Sequence, residues 1–329
     1  MVRRFLPGIA ALAAIGLLAR GVSRVVPEAN HLIVAIVLGV VVANTYGIPD
    51  RAEPGVGTHT LWLETGIVVM GASVALDRVV AAGPTILALV VGTVLATVVV
   101  VELLARGLFA IDEETGSLLA AGSGICGVSA VVAIAESIHA DETRIAYAAA
   151  TVLLFDAVTL LVYPVVGHLL GLSDAVFGVW AGLTMFSTGP VTAAGFAFSS
   201  AAGQWALLVK LARNALIGLA AVAYAVYYAR RSGRTADGVG LGHLWRTFPK
   251  FVLGFLGVMV LANVGVLGTQ ALDSLSHASD WLFLFAFAGL GLTIDVDDLR
   301  STGYEPVLVV FLGLLVVSTT ALVVVTALF

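Results

Sequence analysis

Three short stretches of this sequence carry residues able to bind a small charged molecule. The first, "GSGICGVS", sets Gly122, Gly124 and Gly127 among Ser123, Cys126 and Ser129. The second, "FSTGPVT", places Gly189 and Pro190 between the hydroxyls of Ser187, Thr188 and Thr192. The third, "VKLARN", holds Lys210, Arg213 and Asn214 on one helical face, because residues three and four apart are neighbours on a helix. Glycine and proline interrupt a helix, and a helix that restarts presents free amide N–H groups with partial positive charge. Such an end suits an anion, and nearby hydroxyls and cations would orient and neutralise it.

In "GSGICGVS" the helix is expected to restart near Gly127, leaving the amides of residues 126–130 free. In "FSTGPVT" one half-helix is expected to end near Ser187 and the next to start near Pro190, a residue that fits a first helical turn. The plainer alternatives are close helix packing through small residues in the first stretch and a simple proline kink in the second. Lys210 and Arg213 fall near mid-membrane, where cations are costly and mark a pathway or a partner. Asp156 and Glu102 are the acids available to pair with them. Asp156 is also the candidate for a coupling proton or cation.

The elements that must position these residues are membrane helices. The chain has 329 residues, of which 60% are hydrophobic and 11% charged, against about 25% charged in soluble domains. The expected fold is therefore all-α and integral to the bilayer. Eleven apolar segments qualify as spans, near residues 4–20, 31–48, 61–80, 84–108, 116–138, 144–171, 174–199, 202–229, 249–268, 281–298 and 305–328. The first resembles a signal peptide but lacks a clear cleavage site, so it is read as a retained helix added to ten others. Ten Lys or Arg residues fall on the side of the N-terminus and four on the other, which places the N-terminus in the cytoplasm. One cysteine excludes an internal disulfide, and no cluster suited to a metal is expected.

Two segments match at an offset of 220 residues: "GASVALDRVVAAGP" from Gly71 and "GLTIDVDDLRSTGYEP" from Gly291. Before them, "LGVVVANTYG" with Gly39 and Asn44 matches "LGVMVLANVG" with Gly257 and Asn263. Residues 31–108 and 251–328 are thus read as a repeat pair, and residues 116–229 as a core holding the two breaks, all in one transporter domain. The copies lie seven spans apart in the order of spans, an odd number, so they are expected to be inverted, as in many secondary transporters. Asp77, Asp297 and Asp298 are expected to cap helix ends.

The set "GSGICGVSAVVA", "HADETRIAYAAATVLLFDAVTLLVYP", "GVWAGLTMFSTGPVTAAGFAFS" and "VKLARN" resembles the YeiH-type (UPF0324) family, whose members carry the label of sulfate exporters. The likeness covers nearly the whole chain. It implies a place in the cation:proton antiporter and anion transporter superfamily, with inverted halves, panel and core domains, two discontinuous crossing helices and elevator-like alternating access. The expected function is secondary transport of sulfate, a sulfonate or a carboxylate across a prokaryotic plasma membrane. The amides around Gly127 and Pro190 would cradle the anion, and Lys210 with Arg213 would neutralise it.

No nucleotide-binding motif is present, so an H+ or Na+ gradient, or exchange, would supply the energy. No other cofactor is expected, nor is a nucleic-acid partner; the anion and the lipid bilayer are the partners, and the choice between monomer and homodimer stays open. The alternative is a sodium:proton antiporter using Asp156 and Lys210, although neither break contains an acid. An intramembrane hydrolase using Ser123 or Ser129 would need a histidine at the same depth, and His31, His139 and His168 lie near span ends. The chain is therefore not expected to be an enzyme.

Overall fold

A computed structural model describes residues 4–26, 30–74, 76–232, 250–295 and 304–329. Among them there is no strand. The helices are α1 (Leu6–Val25), α2 (His31–Tyr46), α3 (Glu53–Val56), α4 (His59–Met70), α5 (Leu76–Leu103), α6 (Glu113–Ala121), α7 (Val128–Ile138), α8 (Glu142–Leu169), α9 (Asp174–Thr184), α10 (Thr188–Phe198), α11 (Ser200–Asn214), α12 (Ile217–Ser232), α13 (Phe251–Asn263), α14 (Thr269–Leu292) and α15 (Tyr304–Leu328). Among the described residues six stretches are long and apolar enough to cross a membrane: Leu6–Val25, Gly83–Leu108, Glu142–Leu169, Ser200–Arg231, Thr269–Leu292 and Tyr304–Leu328. Leu95, Leu315 and Val323 are each more than half exposed. That suits side chains whose solvent is lipid. The chain is a multi-pass, all-helical membrane protein.

Several expected boundaries change. "DSLSHASD" reads as a turn, but it lies inside α14, where Ser274 and Ser279 return their hydroxyls to carbonyls of their own helix. "AAGP" also reads as a turn, yet Pro84 sits within the 28-residue helix α5. The spans expected near 116–138 and 174–199 are each two helices, and α2 and α13 are shorter than a full span.

The chain divides into two compact units. One comprises Met1–Gly83 and Lys250–Val296. In it α14 packs along α2 and α4, and two sets of contacts match between the repeat copies, at offsets of 219 and 220 residues. Asn44 Nδ2 donates to Ile294 O at 2.8 Å, and Asn263 Nδ2 donates to Val74 O at 2.8 Å. A β-carbon on Gly71 would strike the Phe255 carbonyl, and one on Gly291 would strike the Ile36 carbonyl. The side chain of Asp77, and Asp297, Asp298 and Gly303, lie outside what the structure describes.

The other unit comprises Pro84–Pro249 and Asp297–Phe329. Its core gathers Leu118, Ile125, Val131, Val152, Phe155, Phe186 and Val309, all 4% exposed or less. A buried polar triad ties α8 and α9 to α15: Tyr163 Oη donates to Ser318 Oγ at 2.8 Å, and Trp180 Nε1 donates to the Ser318 carbonyl at 3.0 Å. All three sequence stretches that could do chemistry belong to this unit.

Candidate functional site

The first break is built by three glycines. Helix α6 ends at Ala121, and residues 122–126 form one wide π-helical turn closed by Gly127 N–H donating to Gly122 O at 2.9 Å. Gly127 then takes φ +72° and ψ −140° before α7 begins at Val128. Side-chain-bearing residues avoid that backbone region, so Gly127 is where the chain resets. The second break is built by proline. Continuing α9 would need an N–H at Pro190 for the Phe186 carbonyl, and the ring would collide with that same carbonyl. Instead α9 stops at Thr184, Met185 is extended, and α10 restarts at Thr188 with Pro190 in its first turn.

Lys210 and Arg213 occupy the carbonyl ends thus created. Lys210 Nζ donates to the carbonyls of Ile125 at 2.7 Å, Met185 at 3.3 Å and Phe186. The Phe186 oxygen is the one that Pro190 leaves without a helical partner. Arg213 Nε and Nη2 donate to Gly124 O at 3.3 and 2.8 Å, Nη2 to Ser123 O at 3.1 Å, and Nη1 to Gly182 O at 2.9 Å and Met185 O at 2.8 Å. Both side chains are fully buried.

An ammonium has three N–H groups and a guanidinium five, so all eight donors go to backbone carbonyls. Neither cation has an N–H left for an anion, and no ion pair joins either to Asp156 or Glu102 among the described residues. Glu102 instead pairs with Arg106 at 2.5 Å. The two cations cap the negative ends of α6 and α9.

The positive ends are left bare. Elsewhere in this unit Asp112, Asp141, Ser173 and Ser199 cap α6, α8, α9 and α11 with side-chain oxygens. Helices α7 and α10 have no such cap. The free set is narrower than residues 126–130, because Gly127 N–H closes the π turn and Ala130 N–H donates to Gly127 O at 3.0 Å. Val128 and Ser129 remain without an intrahelical acceptor at the start of α7, as do Thr188 and Gly189 at the start of α10. The two starts adjoin, since a β-carbon on Gly127 would run into Ser187 Oγ. Ser129 is exposed, Val128, Ser187 and Thr188 are half-buried, and Gly189 and Pro190 are buried.

The remaining candidates surround these ends. Asp156 is 3% exposed; its Oδ1 accepts from Ser187 N–H at 2.9 Å, and its Oδ2 has no partner among the described residues. Asn214 Nδ2 donates to Thr188 Oγ1 at 3.0 Å, while Asn214 Oδ1 has no protein donor. Ser123 Oγ is likewise buried and unpartnered. Thr192 Oγ1 donates to Thr188 O at 2.6 Å, so that hydroxyl serves its own helix rather than a ligand. Cys126 is a buried free thiol. Among the described residues no His, Cys, Asp or Glu cluster is suited to a metal ion. The sequence reading missed the carbonyls of Ile125, Met185 and Gly182, which no residue type announces.

Comparison with known proteins shows the family of the chain. Residues 7–310 match the family model described as "Conserved hypothetical protein 698". A UPF0324 membrane protein of Nitratidesulfovibrio vulgaris is 32% identical over 315 residues, covering 92% of this chain and 87% of that one. The chain belongs to the UPF0324 family. A UPF0324 membrane protein of Streptococcus pyogenes serotype M6 is 31% identical over 93% of this chain and 92% of its own length. No solved structure matches this UPF0324 protein.

Proposed function

We propose that this UPF0324 protein is a secondary active transporter of a small anion, namely sulfate, a sulfonate or a carboxylate. One observation carries the reading. At both breaks the carbonyl ends are neutralised by Lys210 and Arg213, while the adjoining amide ends of α7 and α10 have no side-chain cap. The amides of Val128, Ser129, Thr188 and Gly189 would bind the anion, with the hydroxyls of Ser129, Ser187 and Thr188 beside them. Lys210 and Arg213 act on it through their field only.

In this reading the paired helices α6/α7 and α9/α10 are discontinuous membrane helices, which survive in a bilayer where they line a cavity. The matched contacts of Asn44 with Ile294 and Asn263 with Val74 support an inverted repeat. The repeat copies each give their last long helix, the part of α5 from Pro84 and α15, to the unit that holds the breaks. That division supports elevator-like alternating access; the bias of Lys and Arg in the loops supports an N-terminus in the cytoplasm, with the protein in a prokaryotic plasma membrane.

One observation favours the alternative, a sodium:proton antiporter. Asp156 Oδ2 is buried beside the second break without a partner, and an acid there suits a proton or Na+. Both readings are tested in proteoliposomes. Saturable, gradient-dependent flux of labelled sulfate, a sulfonate or a carboxylate is the expected result. Absence of flux for all three, together with proton release driven by Na+, overturns the anion reading in favour of the antiporter.

A further inference from the structure

A cleft between α5 and α12 lies outside both breaks. Its walls are Val98, Leu103, Gly107 and Ala223, with Arg106 and Tyr227 at one end, and it encloses about 630 Å³. An adjoining hollow of about 470 Å³ shares Ala223 and Tyr227 and is bounded by Arg230 and Arg231. Leu103 is 67% exposed, and a β-carbon on Gly107 would meet nothing. The walls belong to two membrane-crossing stretches, Gly83–Leu108 and Ser200–Arg231, and the arginines stand at the ends of both. The cleft thus runs from apolar depth to headgroup depth.

Its charges do not cancel. Arg106 pairs with Glu102 and Glu113, each at 2.5 Å, and Arg231 reaches Glu113 at 3.1 Å. Three arginines face two glutamates, and Arg230 is in no ion pair among the described residues. The residue is one positive charge at the mouth of an apolar slot. An inorganic anion would use the arginines and leave the slot empty; a neutral hydrocarbon would do the reverse.

We propose that this cleft binds one anionic phospholipid, with acyl chain against Val98, Leu103 and Ala223 and phosphodiester at Arg230 and Arg231. Basic hollows between membrane helices suit such headgroups. The proposal does not rest on the transport reading, because its test reads binding.

The full chain, purified in detergent, is titrated with phosphatidylglycerol or phosphatidylcholine and the bound lipid counted by native mass spectrometry. One phosphatidylglycerol per chain, held in preference to phosphatidylcholine, is expected. Arg230→Gln should weaken it roughly fivefold, the loss of one basic residue near an anionic headgroup. Because Arg230 is in no ion pair among the described residues, this variant should unfold at the wild-type temperature. Ala223→Trp, which fills the slot and keeps the arginines, should weaken binding as well. Equal retention of the two lipids overturns the proposal, as does glycerol 3-phosphate displacing phosphatidylglycerol as well as free phosphatidylglycerol does.

Discussion

Replacing Arg213 by methionine separates its two conceivable jobs. Methionine keeps most of the side-chain volume and removes all five N–H donors. Met185 O would keep Lys210, but the carbonyls of Ser123, Gly124 and Gly182 would lose their side-chain partner. Each buried acceptor left unsatisfied costs about 1–3 kcal/mol, so the three together cost about 3–9 kcal/mol. The negative ends of α6 and α9 would also lose a cation, an effect that reaches about 2 kcal/mol in partly buried settings. Total stabilities run about 5–15 kcal/mol. The variant should therefore be recovered poorly, or unfold well below the wild type.

Thermal unfolding in detergent, followed by tryptophan fluorescence, reads this directly. Arg213→Lys should recover part of the loss, because an ammonium supplies three donors in place of five. If Arg213→Met unfolds at the wild-type temperature and has lost only its anion flux, Arg213 is a ligand and the capping argument fails.

Three further outcomes follow from the same contacts. Gly127→Ala should cost about 1–3 kcal/mol for its backbone region alone and should abolish anion flux, because the new methyl would displace Ser187; unchanged flux would mean that the two helix starts do not form the site. Asn44→Ala and Asn263→Ala should each lower the unfolding temperature by similar amounts, since each removes a matching bond to Ile294 or Val74, and a large effect of only one would argue against the repeat. At Asp112, burial pushes the carboxyl up, but hydrogen bonds from Thr115 and the Arg144 guanidinium outweigh it and hold it below the ordinary range. Its contribution is therefore complete above the unfolded value near pH 4 and is lost as pH falls through the lower folded value; Asp112→Asn should flatten that acid limb of the unfolding curve.

Both breaks were legible as residue types. Three glycines in six residues and a proline after glycine have local, steric consequences, so a reader of the sequence can place them. Where the half-helices end was not legible to the residue. Thr184 ends α9 three positions before Ser187, because the carbonyls of Met185 and Phe186 turn toward Lys210, which is 24 residues or more away in sequence. Lys210 and Arg213 stood out in the sequence as cations within an apolar span, and both are buried, but their partners were not legible. Backbone carbonyls are present at every residue, and only the fold decides which are orphaned. "DSLSHASD" misled for the opposite reason. Its serines and aspartates favour turns when solvated, yet inside α14 Ser274 and Ser279 satisfy themselves on the preceding turn.

The charge state of the core favours an anion over a cation. Lys210 lies within hydrogen-bond reach of three separate carbonyls, surroundings that suit an ammonium with its three hydrogens. Arg213 stays charged in proteins. Against these two positive charges stands Asp156, whose Oδ1 is held by the Ser187 amide. With Asp156 ionised the cluster keeps one positive charge in a fully buried place; with Asp156 protonated it keeps two. The helix dipoles do not remove the imbalance, because the cations cover the negative ends while the positive ends have only Asp156, held by the Ser187 amide, beside them. An isolated buried charge is costly unless paired. A bound cation at Asp156 would bring the total to two positive charges, whereas a univalent anion at Val128, Ser129, Thr188 and Gly189 brings it to zero and a divalent one to minus one. Divalent sulfate is thus best balanced when Asp156 carries a proton, so on Asp156→Asn sulfate affinity should rise steeply and univalent carboxylate affinity should rise by less. Equal shifts for the two anions in a competition assay would show that Asp156 does not share their electrostatics.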